Sequence, residues 1–316
     1  MKHTFILTFF LAICTLVFAQ DKSINKSFSN IKSIKLSTAS GDINLKKGSG
    51  ADVKLILKYS YDDEDYKPVI EQNATRLTIK EEFSRRNNIS GNASWTLEIP
   101  DNIALNINTG SGDITVDGIT LDIKSNTGSG DIVLTSVKGD LDFNTGSGDI
   151  EISQADGEIR LNTGSGDVRA SQGTGNYDIN AGSGSIRLDQ LKGDFGINTG
   201  SGNITAKALT ISGSSSFNTG SGNSTVILSA PLDHNISVNS GSGDATLNFN
   251  GNAISGEVIM TANKNGGSIV APFKFDKEET IDDDNSSARI QKTAKLGSKN
   301  IIIKVGTGSG TAEISK

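Results

Sequence analysis

Between residues 112 and 204, apolar and polar positions alternate in short stretches that begin with glycine. Gly112-Asp-Ile-Thr-Val116, Gly130-Asp-Ile-Val-Leu134, Gly139-Asp-Leu-Asp-Phe143, Gly148-Asp-Ile-Glu-Ile152, Gly157-Glu-Ile-Arg-Leu161 and Gly193-Asp-Phe-Gly-Ile197 share the form Gly-polar-apolar-x-apolar. Alternation with period two is the strand pattern, so both apolar side chains of a stretch lie on one face. The stretches start at multiples of nine residues and pair into an eighteen-residue unit. One member of each pair follows Asn-Thr-Gly-Ser, and the other follows a variable turn. The full phrase Asn-Thr-Gly-Ser-Gly-Asp-Ile stands at 108–114, 126–132 and 144–150, with variants at 162–168, 180–186, 198–204, 218–224 and 239–245. A fixed period of this size marks a stack of repeats.

The pattern predicts an all-β chain, a parallel β-helix (β-solenoid) of about 18 residues per coil with two short strands per coil, one in each of two facing sheets. Successive coils stack at the ~4.8 Å spacing of neighbouring strands. Residues eighteen apart then form ladders. Ile114, Ile132, Ile150, Val168, Ile186 and Ile204 make one inward column; Ile123, Leu141, Ile159, Tyr177 and Phe195 make the facing one. The spacing slips to twenty and twenty-one residues after the sixth copy. Residues 101–250 read as the solenoid, 20–100 as an irregular N-terminal β cap, and 251–316 as a C-terminal β segment and cap. Fragments of the phrase at Ala39-Ser-Gly-Asp-Ile43 and Gly306-Thr-Gly-Ser-Gly310 lie inside these two flanks. Terminal units of a stack are expected to be atypical, because an open end exposes backbone and core.

Residues 1–19 stand apart. A short polar start, the apolar run 5–18 and Ala19 before Gln20 read as a secretory signal peptide, since the apolar run is shorter than the ~20 residues of a spanning helix. Cys14, the single cysteine of the 316-residue chain, lies there; a lipidated Cys14 is opposed by the bulky Ile13 before it. Without that segment the chain has no cysteine for a disulfide, no spanning helix, and His234 as its one histidine. A net charge of −6 argues against nucleic acid as a partner. Export to the periplasm, the outer surface or the medium is the expected address.

The Gly-Ser-Gly-Asp-Ile repeats resemble those of the bacterial "putative adhesin" β-strand-repeat family of cell-envelope proteins, a domain of unknown function. The lead-in Leu97-Glu-Ile-Pro100, Leu105-Asn-Ile107 and the tail Gly266-Gly, Pro272-Phe, Leu296-Gly also match that pattern. The resemblance covers most of the chain. It implies an exported β-solenoid and brings no active site to transfer.

Several columns carry candidate chemistry. Asp113, Asp131, Asp149 and Asp167 stack, continued by Ser185, Asn203, Asn223 and Asp244; Asp122, Asp140, Glu158, Asn176 and Asp194 stack on the other side. Stacked like charges repel and require compensation. Calcium, which takes carboxylate oxygens, is one answer. However, Asp directly follows Gly here, which is not the register of nine-residue calcium repeats. Capping of N–H groups within each turn is therefore the expectation, with no metal and no cofactor. The Asn column from Asn108 to Asn239 is expected to form an amide ladder. The paired glycines are expected to supply positive φ in the turn. The threonines sit singly, unlike the paired threonines of an ice-binding face, so hydroxyl-to-backbone bonding is expected of them. The outward series Lys124, Asp142, Arg160, Asp178 and the pair Glu151, Arg169 predict cross-strand ion pairs.

The functional expectation is a non-catalytic interaction or structural module of the cell envelope, adhesive in use. Its partner would be an envelope or extracellular protein or glycan. The competing readings are a polysaccharide lyase or hydrolase, since β-helices host both, and a calcium-binding repeat protein. Against an enzyme, the turns are minimal and His234 has no partner histidine. The acidic runs 62–65 and 282–284 are expected to be solvated loops.

Overall fold

The computed structural model describes residues 22–85, 89–281 and 288–316. The segment 1–19 with Cys14, and the acidic run 282–284, lie outside the described residues. Among the described residues there are 29 strands and no helix. The N-terminal part supplies β1 (Lys22–Phe28), β2 (Ser33–Thr38), β3 (Asp42–Lys47), β4 (Val53–Tyr59), β5 (Tyr66–Asn73), β6 (Arg76–Phe83) and β7 (Ala93–Ile99). The repeats begin with β8 (Ala104–Thr109) and β9 (Ile114–Asp117) and run through β22 (Ile236–Ser240) and β23 (Ala245–Asn248). The chain closes with β24 (Gly256–Asn263), β25 (Ser268–Val270), β26 (Lys277–Ile281), β27 (Arg289–Leu296), β28 (Ile302–Thr307) and β29 (Thr311–Ser315).

The strands form a two-sheet β-solenoid with parallel pairing throughout the repeats. Residues eighteen apart are register partners: Ile132 sits between Ile114 and Ile150, and Ile159 between Leu141 and Tyr177. Inward side chains alternate with outward ones, as in Ile150-Glu-Ile-Ser153, where both isoleucines are buried and Glu151 is exposed. Burying each such side chain contributes about 1.5–3 kcal/mol. The core adapts locally in size. Ser125 is fully buried between its partners Ile107 and Phe143, so the small side chain leaves room for the large one.

The stack does not follow chain order at its ends. The coil made by β2 and β3 lies between the pair β6, β7 and the pair β8, β9. At the other end, the coil made by β28 and β29 lies between β22, β23 and β24, β25. This accounts for the phrase fragments at 39–43 and 306–310: both segments are coils inside the stack. Antiparallel strands close three of the four sheet ends, with β4 and β1 on one sheet, β5 on the other, and β27 and β26 at the far end. The terminal strand β5 carries Pro68, which cannot donate to a further strand.

The two turns of a coil use different devices. In the Thr-Gly-Ser-Gly turn the phrase glycines do not have positive φ, contrary to expectation. They are required by close approach instead. A Cβ on Gly148 would stand 2.0 Å from the carbonyl oxygen of Gly130, one coil away. The other turn holds the left-handed residues, at Gly118, Ser136, Gln154, Gln172, Gln190 and Ala208.

Candidate functional site

The outward columns carry the expected polar residues, and the register brings them together. Asp113, Asp131, Asp149 and Asp167 form one column. Each of these carboxylates accepts from the backbone N–H one coil on: Asp131 N to Asp113 Oδ1 at 2.9 Å, Asp149 N to Asp131 Oδ1 at 2.8 Å, Asp167 N to Asp149 Oδ1 at 2.8 Å and Ser185 N to Asp167 Oδ1 at 2.9 Å. The capping therefore joins neighbouring coils rather than closing each residue's own turn. A strand lying about 4.8 Å away offers its N–H within reach of a side chain as short as Asp.

Ion pairing differs from expectation in the same way. Arg169 bonds Asp149 at 3.3 Å and Asp167 at 3.2 Å, and Arg187 bonds Asp167 at 2.9 Å. The long guanidinium reaches the Asp column beside it and does not pair with Glu151 across the strand. Lys124 pairs with Asp142 as expected, at 3.3 Å, but Arg160 turns to Glu158 on its own strand at 3.7 Å. The N–H of Ser185 is the main cause that holds the Asp167 carboxyl below its ordinary range; burial opposes it, and Arg187 and Arg169 reinforce it. Among the described residues, no group of three His, Cys, Asp or Glu side chains is placed to hold a metal.

The Asn column is a hydrogen-bonded ladder over most of its length. Asn162 donates to Asn144 at 2.9 Å, Asn180 to Asn162 at 3.1 Å, Asn198 to Asn180 at 3.0 Å, Asn218 to Asn198 at 3.0 Å and Asn239 to Asn218 at 2.9 Å. The threonines are buried at the strand ends rather than exposed in turns. Thr145 Oγ1 accepts from Gly148 N at 3.0 Å and donates to Gly130 O at 3.2 Å. His234 is exposed. In the 62–65 run, Asp63 pairs with Lys22 at 2.9 Å and Asp65 accepts from Ser84 at 2.6 Å.

The repeat pattern gives no sign of the grooves on the outer face of the sheet that carries the Asn ladder. One, of about 540 Å³, opens over β2 and β8 and is lined by Arg76, Lys35, Lys124, Asp122 and Asp140 among others. Farther along are two adjoining troughs of about 330 and 350 Å³ that share Ser214 and Ser216. Charged side chains line them too, Glu158, Arg160, Asp178 and Asp194 in the first and Lys304 in the second. Residues 101–250 carry 17 Asp and Glu against 7 Lys and Arg, yet between Gly196 and Ser240 the charged residues are Lys207 and Asp233 alone.

These features define a two-sheet β-solenoid whose polar side chains serve mainly to join coil to coil. The family profile "Toastrack DUF4097" matches residues 31–270. The chain belongs to this family, a domain of unknown function, as the repeat phrase led us to expect. No curated protein sequence matches it. Among solved structures, it is similar to a "putative lipid binding protein" from Parabacteroides distasonis, at 15% identity over 94% of this chain and 96% of that one, with a TM-score of 0.43. It is also similar to a "putative adhesin" from the same species, at 14% identity over 92% and 97%, TM-score 0.36. A "putative cell adhesion protein" from Clostridium sporogenes is 15% identical over 94% and 99%, TM-score 0.25. No helix among the described residues is long and apolar enough to cross a membrane.

Proposed function

We propose that this chain is an exported, non-catalytic β-solenoid that acts as an interaction module of the cell envelope, adhesive in use. The observation that carries the reading is the commitment of its ionisable columns to coil-to-coil bonds. Asp113, Asp131, Asp149 and Asp167 cap the next coil, and the arginines beside them close on the same carboxylates. Side chains used this way tie coil to coil along the stack and leave open grooves for contact. Export rests on the segment 1–19. The test has two arms. Purified protein lacking residues 1–19 is offered to envelope and surface extracts, and specific capture of a component is expected. The same preparation is screened for turnover of envelope and extracellular polysaccharides. Turnover that survives purification and disappears on mutation of one acidic cluster would overturn the non-catalytic reading.

A further inference from the structure

The groove of about 540 Å³ over β2 and β8 holds charges that do not meet. One outward column of this sheet runs Arg76 on β6, Ser33 on β2, Ala104 on β8 and Asp122 on β10 (Asp122–Thr127), each the register partner of the next. Asp140 of β12 (Lys138–Thr145) follows, its N–H donating to the Asp122 carboxylate at 3.3 Å. Lys35 stands two residues from Ser33, in the neighbouring outward column. All six residues line the groove, with two cations at one end and two carboxylates at the other. Among the described residues, the side chains of Arg76, Lys35 and Asp140 have no hydrogen bond or ion pair. Lys124 and Asp142, which also line the groove, are paired with each other at 3.3 Å.

The small residues Ser33 and Ala104 keep the two ends apart. Three strand spacings of ~4.8 Å lie between Arg76 and Asp122, or about 14 Å. The floor between them is polar and unspent. The Asn106 side-chain oxygen accepts from Asn108 at 2.8 Å, but its own N–H groups have no partner among the described residues, and neither has the Ser33 hydroxyl. Both residues line the groove.

We infer that this groove binds a short zwitterionic peptide lying along the solenoid axis, its carboxylate held by Arg76 and Lys35 and its ammonium by Asp122 and Asp140. An extended chain rises about 3.3–3.6 Å per residue, so four or five residues span the gap. Peptide groups both donate and accept, which suits Ser33 and Asn106 between the ends. A polyanion would meet Asp122 and Asp140, and a polycation Arg76 and Lys35. A neutral glycan would leave all four charges unanswered, and the two charges of a zwitterionic lipid headgroup lie too close together to reach both ends. Each exposed pair is weak alone and screened by salt, so recognition needs both ends at once. The inference rests on the interaction-module reading and narrows it to one partner class.

The test follows the amide resonances of the isotope-labelled protein lacking residues 1–19 as penta-alanine with free termini is added. Saturable shifts at residues 33–35, 104–106 and 122–124 are expected. Acetylating the peptide's amine, amidating its carboxylate or adding molar salt should each weaken binding at least fivefold. Arg76→Ser and Asp140→Asn change exposed side chains that hold no bond in the fold, and should weaken binding as much at an unchanged melting temperature. Ala104→Gln, which fills the floor, should do the same. The blocked peptides test the end charges without touching the fold. Equal binding of a peptide blocked at both ends would overturn the inference, as would shifts that lie away from the groove. So would tighter binding of laminarin oligomers or of phosphatidylethanolamine vesicles than of the peptide, or no saturable shift at all. If envelope components are still captured in that last case, the module reading stands while this site falls. If nothing is captured either, both fall.

Discussion

Replacing Gly148 with alanine isolates what sets the spacing between coils. The new Cβ would lie 2.0 Å from the carbonyl oxygen of Gly130 and 2.6 Å from its carbonyl carbon. A carbon beside a carbonyl oxygen needs about 3.3 Å, so the two turns must separate by more than roughly 1 Å. Three bonds span that gap: Asp149 N to Asp131 Oδ1 at 2.8 Å, Thr145 Oγ1 to Gly130 O at 3.2 Å and Gly146 N to Thr127 O at 3.1 Å. Each such bond contributes about 0.5–1.5 kcal/mol net, so their joint loss costs about 2–4 kcal/mol. At roughly 2–4 °C per kcal/mol for a chain of this order, the melting temperature should fall by several degrees or more. Thermal and urea unfolding followed by circular dichroism, with Gly196→Ala as the control, would measure it. Hydrogen exchange at residues 145–150 would show whether the loss is local, since stacked repeats need not unfold as one unit. A cost below about 0.5 kcal/mol would refute the claim that bare backbone contact at the glycine turns holds the coils at their spacing.

Four further outcomes are expected. Gln172 has φ 57° in the variable turn, and left-handed geometry costs a non-glycine about 1–2 kcal/mol; Gln172→Gly should stabilise by roughly 0.5–1 kcal/mol after the added chain entropy, and a loss of stability in denaturant titration would contradict this. Phe143 is fully buried beside Ser125, so Phe143→Ala should cost about 3–5 kcal/mol, read in the same titration. The folded-state pKa of Asp167 is lowered by the N–H of Ser185, with Arg187 and Arg169 adding to it, so its contribution is full above the ordinary carboxylate pKa of about 4 and is lost as pH falls through the lowered value; Asp167→Asn should make stability fall less steeply with acid, and an unchanged slope would reject the assignment. With the Asp column already engaged in N–H bonds, millimolar calcium should leave the melting temperature unchanged, and a rise abolished by Asp131→Asn would make that column a metal site.

The inward pattern was legible because it depends only on period. Ile114 to Ile204 and Ile123 to Phe195 occupy the two columns that nine-residue alternation assigns to them. What period could not convey is how far each side chain reaches. Arg169 and Glu151 stand at matching outward positions, yet the guanidinium finds two aspartates nearer than its cross-strand partner. The role of the phrase glycines was hidden for a related reason. A sequence shows that a side chain is missing, but only the packing of one coil on the next shows whether φ or a facing carbonyl forbids it. The stacking order of the end coils was equally hidden, because β2 and β28 join neighbours far off in the chain.

The placement of the terminal coils has a mechanical consequence. Tension applied to the N-terminal side meets β1 first, an antiparallel edge strand that can be peeled away one bond at a time. Next in line are β2 and β3, which are gripped by parallel neighbours on both sides. At the other end β28 and β29 are held in the same way, with β24 and β25 lying outside them. Pulling therefore cannot unravel the solenoid by shedding outer coils in turn. It must draw a segment out from between two others, breaking both ladders of bonds together, so rupture is abrupt and the force is carried near the ends. The repeats between them would stay folded under loads that detach a free outer coil.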